Sequence, residues 1–171
     1  GIAKHNDKLI TIVDFEKILI DISPNLAFSP SDIDKMGMRN RSTKPILLAE
    51  DSPLLERLIL SSLEKAGYMN VICTSNGKEA WEILEGFKAT GQPIEDHVCA
   101  VITDIEMPLM DGHRLLKLIK EDDKLRKLPV VVFSSLVTDG NRAIGNELGA
   151  VASISKPEIV DIVDLIDRHI L

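Results

Sequence analysis

Glu50-Asp51, Asp104, Ser134-Ser135 and Lys156 each stand at the end of a short apolar run, and as a set they point to one kind of chemistry. Carboxylates brought into one pocket repel one another, and a hard divalent cation offsets that repulsion. Oxygen-only ligands with room for several waters suit Mg2+. A hydroxyl and a lysine beside such a cation complete a site for a phosphoryl group. Mg2+ and lysine would stabilise its equatorial oxygens while a carboxylate attacks in line. Taken singly, each residue has a plain explanation. An acid after a strand is usually solvated or caps a helix, and Lys156-Pro157 would ordinarily just open one. The recurrence of the whole set at successive strand ends is what points to a site.

The elements that position these residues follow from the hydrophobic pattern. Pro45-Ile46-Leu47-Leu48-Ala49 is continuously apolar, as in a strand covered on both faces. Ser52-Pro53 offers an N-cap with proline in the first turn; Leu55, Leu58, Ile59, Leu63 and Ala66 follow at helical spacing, and Gly67 ends the run. The alternation recurs, predicting strands near 70–74, 98–103, 129–134 and 151–155. Helices are predicted near 77–88, 112–121, 139–147 and 158–169, with a surface loop over Thr90–His97. Five βα units imply an α/β, doubly wound, five-stranded parallel sheet, and ligands in such sheets bind beyond the carboxyl ends of the strands. Gly140 and Gly145 weaken the helix predicted at 139–147 and point to a mobile face. Met107–Gly112 is expected to be a turn, with Pro108 fixing φ and Gly112 starting a helix.

Composition excludes several classes. Of 171 residues, Lys and Arg number 20 against 27 Asp and Glu, and a net charge of −7 without a basic stripe argues against nucleic-acid binding. The imbalance lies beyond residue 43, because residues 1–43 carry six charges of each sign. No apolar run approaches the roughly 18 residues of a membrane span, so no membrane insertion is expected and a cytoplasmic location is. Cys73 and Cys99 are too few for a disulfide framework and are expected buried and reduced. His97 and His113 are expected to be solvated, as is the acidic face of Asp161, Asp164 and Asp167.

Residues 44–171 resemble response-regulator receiver domains. The resemblance is carried by Leu48-Ala49-Glu50-Asp51-Ser52, by Ile102-Thr103-Asp104-Ile105-Glu106-Met107-Pro108-Leu109-Met110-Asp111-Gly112, by Phe133-Ser134-Ser135 and by Ser155-Lys156-Pro157. It implies the flavodoxin-like strand order 2-1-3-4-5 and a cytoplasmic phosphoacceptor module rather than an ordinary enzyme. Its only catalysis would be its own phosphorylation and dephosphorylation. Asp104 would take a phosphoryl group from a CheA-type histidine kinase. Asp51, Asp104 and the main-chain carbonyl of Glu106 would hold Mg2+, with Glu50 acting through water. Ser134 would bond the phosphoryl oxygen, Lys156 would pair with it, and the Lys156–Pro157 peptide would be cis. Receivers commonly carry an aromatic residue three positions before the lysine; here it is Ser153, which implies another route for the output.

Residues 1–28 resemble the C-terminal end of a CheW-like coupling domain, through Gly1–Leu19, and residues 29–43 read as a linker. Lys8–Phe15 contains an apolar strand, and Glu16-Lys17-Ile18-Leu19 starts a helix on this reading. A coupling-domain end followed by a receiver is similar to the CheV-type chemotaxis coupling proteins. The expected partners are then a CheA-type kinase and, through the CheW-like part, chemoreceptors, with a phosphate sink as a variant. Two other readings stand beside this one. Asp104-Ile105-Glu106 imitates the paired acids of haloacid-dehalogenase-like phosphatases, though it ends the third strand and no cap domain accompanies it. A receiver-like fold acting through its surface alone, without phosphate, is the other.

Overall fold

The computed structural model describes residues 2–5, 8–11, 43–134, 139–155 and 159–170. Lys156, Pro157 and Ser135 lie outside the described residues, as do the expected helix start at 16–19 and all but residue 43 of the linker expected over 29–43.

Near the start, β1 (Ile2–His5) and β2 (Lys8–Thr11) pair antiparallel with Ile2 opposite Thr11. The first of these strands carries too short a pattern to be read from sequence. The main body alternates β3 (Ile46–Ala49), α1 (Pro53–Lys65), β4 (Val71–Thr74), α2 (Gly77–Ala89), α3 (Ile94–His97), β5 (Ala100–Thr103), α4 (Gly112–Glu121), β6 (Val130–Ser134), α5 (Asp139–Glu147), β7 (Ala152–Ser155) and α6 (Ile159–Ile170). Its five parallel strands run in the order β4-β3-β5-β6-β7, which is 2-1-3-4-5 counted along the chain. β3 and β5, the strands that end in acids, are neighbours at the centre of this sheet.

Period-two alternation sends successive residues of each strand to opposite faces. Ile46, Leu48, Ile102, Val131, Phe133 and Ile154 pack with Ile59 and Leu63 of α1 and with Ile162, Val163 and Ile166 of α6. Leu47, Ala49, Val101, Val130 and Val132 pack with Ala80 and Leu84 of α2 and with Leu115, Leu116 and Ile119 of α4. Covering both faces is what makes the strands read as unbroken apolar runs. Each fully buried Leu or Ile contributes about 1.5–3 kcal/mol over its exposed state, so this two-sided core fixes the strand ends firmly.

Local signals set the element boundaries. Ser52 caps α1, accepting from Leu55 N–H, and Asn76 caps α2, accepting from Glu79 N–H at 2.9 Å. Gly67 at φ 96° lets α1 end with Tyr68 N–H donating to Leu63 O and Gly67 N–H to Glu64 O. The segment expected to be a plain loop contains α3, because Ile94 is buried in the core and anchors that turn.

Several surface expectations are corrected by packing. His97 is not simply solvated: its ring stacks on Phe87 at 4.8 Å and its Nε2 lies 3.0 Å from Thr90 Oγ1. Thr90 Oγ1 already donates to Phe87 O, so His97 is the donor in that bond. Asp167 accepts from the buried Tyr68 Oη at 2.5 Å, tying α6 to the turn after α1. Cys99 is buried as expected, and burial raises its thiol pKa to about 11. Cys73 is exposed instead, because β4 is an edge strand with β3 on one side only.

Candidate functional site

The chain turns away from the sheet immediately after Ala49 and Thr103, and the first residues past these two strand ends are acids. Glu50 is 2% exposed and Asp104 is 5% exposed, while Asp51 is open to solvent. One carboxylate oxygen from each lies within 4.8 Å of the others. Backbone pairing sets this convergence: Ala49 and Thr103 are register partners, and Asp104 N–H donates to Ala49 O at 2.9 Å. On the other side of β3, Glu50 N–H donates to Thr74 O at 3.0 Å. Glu50 Oε1 accepts from Ser52 N–H at 3.2 Å, directing the side chain along the start of α1.

Asp104 is held from several directions. Its Oδ1 accepts from Ile105 N–H at 2.7 Å, and its carbonyl accepts from Thr103 Oγ1 at 2.9 Å. Gly112 lies so near that a Cβ there would sit 1.9 Å from Asp104 O. That close approach, rather than helix initiation, is why residue 112 has to be glycine. Asp111 is the residue that caps α4, accepting from Arg114 N–H at 2.8 Å.

Between them the chain makes a bent loop. Gly112 N–H donates to Ile105 O at 3.0 Å, and Gly77 N–H at the start of α2 donates to Met110 O at 3.1 Å. Leu109 adopts φ 64° and is 78% exposed at the tip. The left-handed region costs a residue with a Cβ roughly 1–2 kcal/mol, and sequence offers no sign of it because leucine is not a turn former. Glu106 is exposed on this loop two positions past Asp104, and its side chain is not part of the carboxylate cluster.

Ser134 ends β6 at 1% exposed, in register with Ser155 of β7. Ser153, on the same face of β7, is buried at its hydroxyl with no hydrogen-bond partner among the described residues. A Cβ on Gly145 would fall 2.5 Å from Ser153 Oγ, so α5 sits close on β7 at the place where an aromatic side chain was the expectation for the family. His113 Nε2 is likewise buried without a partner among the described residues.

Chemically, the acid cluster is a set of hard oxygen donors with two buried members and one open to solvent. That donor set fits a divalent cation with water in part of its shell. A buried carboxylate next to such an ion is also a competent nucleophile toward phosphorus.

The sequence pattern of the response regulator receiver domain matches residues 46–168. The chain belongs to this family. Among curated relatives, the chain is similar to chemotaxis protein CheV2 of Helicobacter pylori, at 31% identity over 95% of this chain and 50% of CheV2. It is also similar to the sensor histidine kinase CheAY of that organism, at 28% identity over 92% of this chain and 19% of CheAY. The chain spans about half the length of the first curated relatives it matches. Among solved structures, the receiver superposes on the phosphorylated cyanobacterial phytochrome response regulator RcpA with a TM-score of 0.61 and 25% identity, over 74% of this chain and 91% of that one. Among the described residues no helix is long and apolar enough to cross a membrane.

Proposed function

We propose that this receiver is the phosphoaccepting part of a chemotaxis signalling protein, with Asp104 as the acceptor. The observation that carries the reading is the gathering of Glu50, Asp51 and Asp104 within 4.8 Å at the carboxyl ends of β3 and β5. One Asp104 carboxylate oxygen attacks the phosphorus of a phosphohistidine on a CheA-type kinase. The P–N bond breaks, its electron pair stays with the imidazole nitrogen, and an acyl phosphate remains on Asp104. Asp51, Asp104 and the Glu106 carbonyl would hold Mg2+, with Glu50 acting through water. When bound, the ion neutralises charge on the transferring group.

The chain's own residues do the rest. The bond from Ile105 N–H fixes the rotation of the acceptor carboxylate, and burial of Asp104 limits competing water. Ser134 donates its hydroxyl to the phosphoryl oxygen and Lys156 supplies a cation to it. The new dianion then biases a two-state equilibrium at one end of the sheet. In this proposal residues 1–28 are the end of a CheW-like domain that binds chemoreceptors, 29–43 are a linker, and the whole acts in the cytoplasm as a switched adaptor or a phosphate sink. The similarity to CheV2 and CheAY supports the chemotaxis setting.

Incubation with a CheA-type kinase carrying labelled phosphohistidine tests the partner. The expected result is transfer of label to the native chain and none to Asp104→Asn. Label that stays on the kinase, or that moves equally to both chains, contradicts the proposal.

A further inference from the structure

Thr103 is 0% exposed in a row whose register partners are Ala49 and Val132, an apolar environment that valine would suit. A buried hydroxyl is costly unless bonded, so its presence in that row calls for a reason. Its bond goes to the carbonyl of Asp104, at 2.9 Å, where the chain leaves the sheet. The same carbonyl is faced by Gly112, and the position of a Cβ on Gly112 is 3.0 Å from Thr103 Oγ1. Meanwhile Asp104 N–H is bonded to Ala49 O, and its carboxylate to Ile105 N–H. The backbone of Asp104 is thereby gripped at its nitrogen, by β3, and at its carbonyl, by the Thr103 hydroxyl with Gly112 behind it. Those two grips set the direction of the Cα–Cβ bond and so the place where the carboxylate meets Glu50 and Asp51.

We propose that Thr103 is a positioning residue whose hydroxyl clasps the Asp104 carbonyl against Gly112 and thereby aims the acceptor carboxylate. The inference rests on the reading of Asp104 as phosphoacceptor. Thr103 touches no transferring atom; it acts through the peptide plane of Asp104. A small misdirection of a nucleophile costs rate steeply, whereas the apolar packing of the position is kept by valine.

The test follows the rate of phosphoryl incorporation from acetyl phosphate at saturating Mg2+, by intact mass, in the native chain, Thr103→Val and Thr103→Ser, with thermal unfolding of each. Thr103→Val is expected to slow incorporation at least about tenfold, and Thr103→Ser, which restores the hydroxyl, to stay within about threefold of native. A Thr103→Val rate within about twofold of native overturns the inference, as does a serine variant as slow as valine. If Thr103→Val does not fold, Thr103→Ala takes its place with the same two outcomes. Native protein that takes no phosphoryl group overturns the Asp104 reading itself and this inference with it. Normal native uptake with an indifferent Thr103→Val overturns the clasp alone.

Discussion

Two places in this domain draw charge partly out of water, and they do so with opposite logic. On the flank formed by α2 and the turn after α4, Lys88 Nζ donates to Glu85 Oε1 at 2.6 Å and to Asp122 Oδ2 at 2.5 Å, and it lies 5.5 Å from the Trp81 ring. The bond to Asp122, then that to Glu85, holds the Lys88 ammonium above its usual range. Burial pushes the Asp122 carboxyl up, but bonds from Lys88 and from the Lys124 and Leu125 amides outweigh it and leave the group below its usual range. Opposite signs meet there, and the cluster is complete in itself. At the carboxyl ends of β3 and β5 the fold gathers three carboxylates instead. A fold that holds like charges together spends stability on something other than its own cohesion. The first cluster pairs opposite signs; the second gathers hard oxygen donors that fit a divalent cation.

Perturbing the two regions should therefore give different responses. The largest effect is expected at Gly112→Ala, whose Cβ would meet the Asp104 carbonyl at 1.9 Å. Overpacking against backbone should cost about 3 kcal/mol or more in chemical unfolding, with loss of phosphoryl uptake. Next comes the divalent cation. At a hundredfold excess over its Kd, Mg2+ should raise the unfolding free energy of the native chain by about 2.7 kcal/mol, and that of Asp51→Asn by almost nothing at the same concentration. A native chain whose unfolding ignores Mg2+ would erase the contrast between the clusters.

Smaller changes belong to the opposite-sign cluster. Asp122→Asn should lower stability at neutral pH by about 0.5–1 kcal/mol, discounted for its partial exposure, and leave phosphoryl uptake unchanged. A depressed carboxyl pKa contributes stability above the unfolded value of about 3.9, and that contribution is lost as pH falls through the lower folded value. The gap between native and Asp122→Asn should accordingly close below about pH 4 in urea unfolding measured across pH. The smallest effect is expected at Leu109→Asn, which relieves the left-handed backbone at an exposed site and should stabilise the chain by about 0.5 kcal/mol. Unchanged or lower stability there would show that Leu109 makes contacts that offset its conformation.

Much of this arrangement is legible in the residue order. The two-sided core makes each central strand an unbroken apolar run, so the strands after residue 43 fall within two residues of expectation, and Ser52 and Gly67 mark the ends of α1 by their own chemistry. Strand ends read from the apolar runs in turn place Glu50, Asp51, Asp104 and Ser134 at one end of the sheet. What escapes is whatever depends on contact between distant segments. The Tyr68–Asp167 bond joins residues 99 positions apart and leaves no local period, so Asp167 reads as one more solvated acid. His97 looks solvated until Phe87 is folded beneath it. Thr103 looks like one more β-branched strand residue, because nothing in its neighbours reveals that its hydroxyl meets the Asp104 carbonyl.

Whether the like-charge cluster accepts a phosphoryl group at Asp104 is decided by intact mass after treatment with acetyl phosphate, with and without Mg2+, on the native chain and Asp104→Asn. The native chain is expected to gain one phosphoryl group that requires Mg2+ and is absent from Asp104→Asn. No adduct on either chain, or an adduct that survives the substitution, would contradict that role for Asp104 and favour a domain that acts through its surface alone.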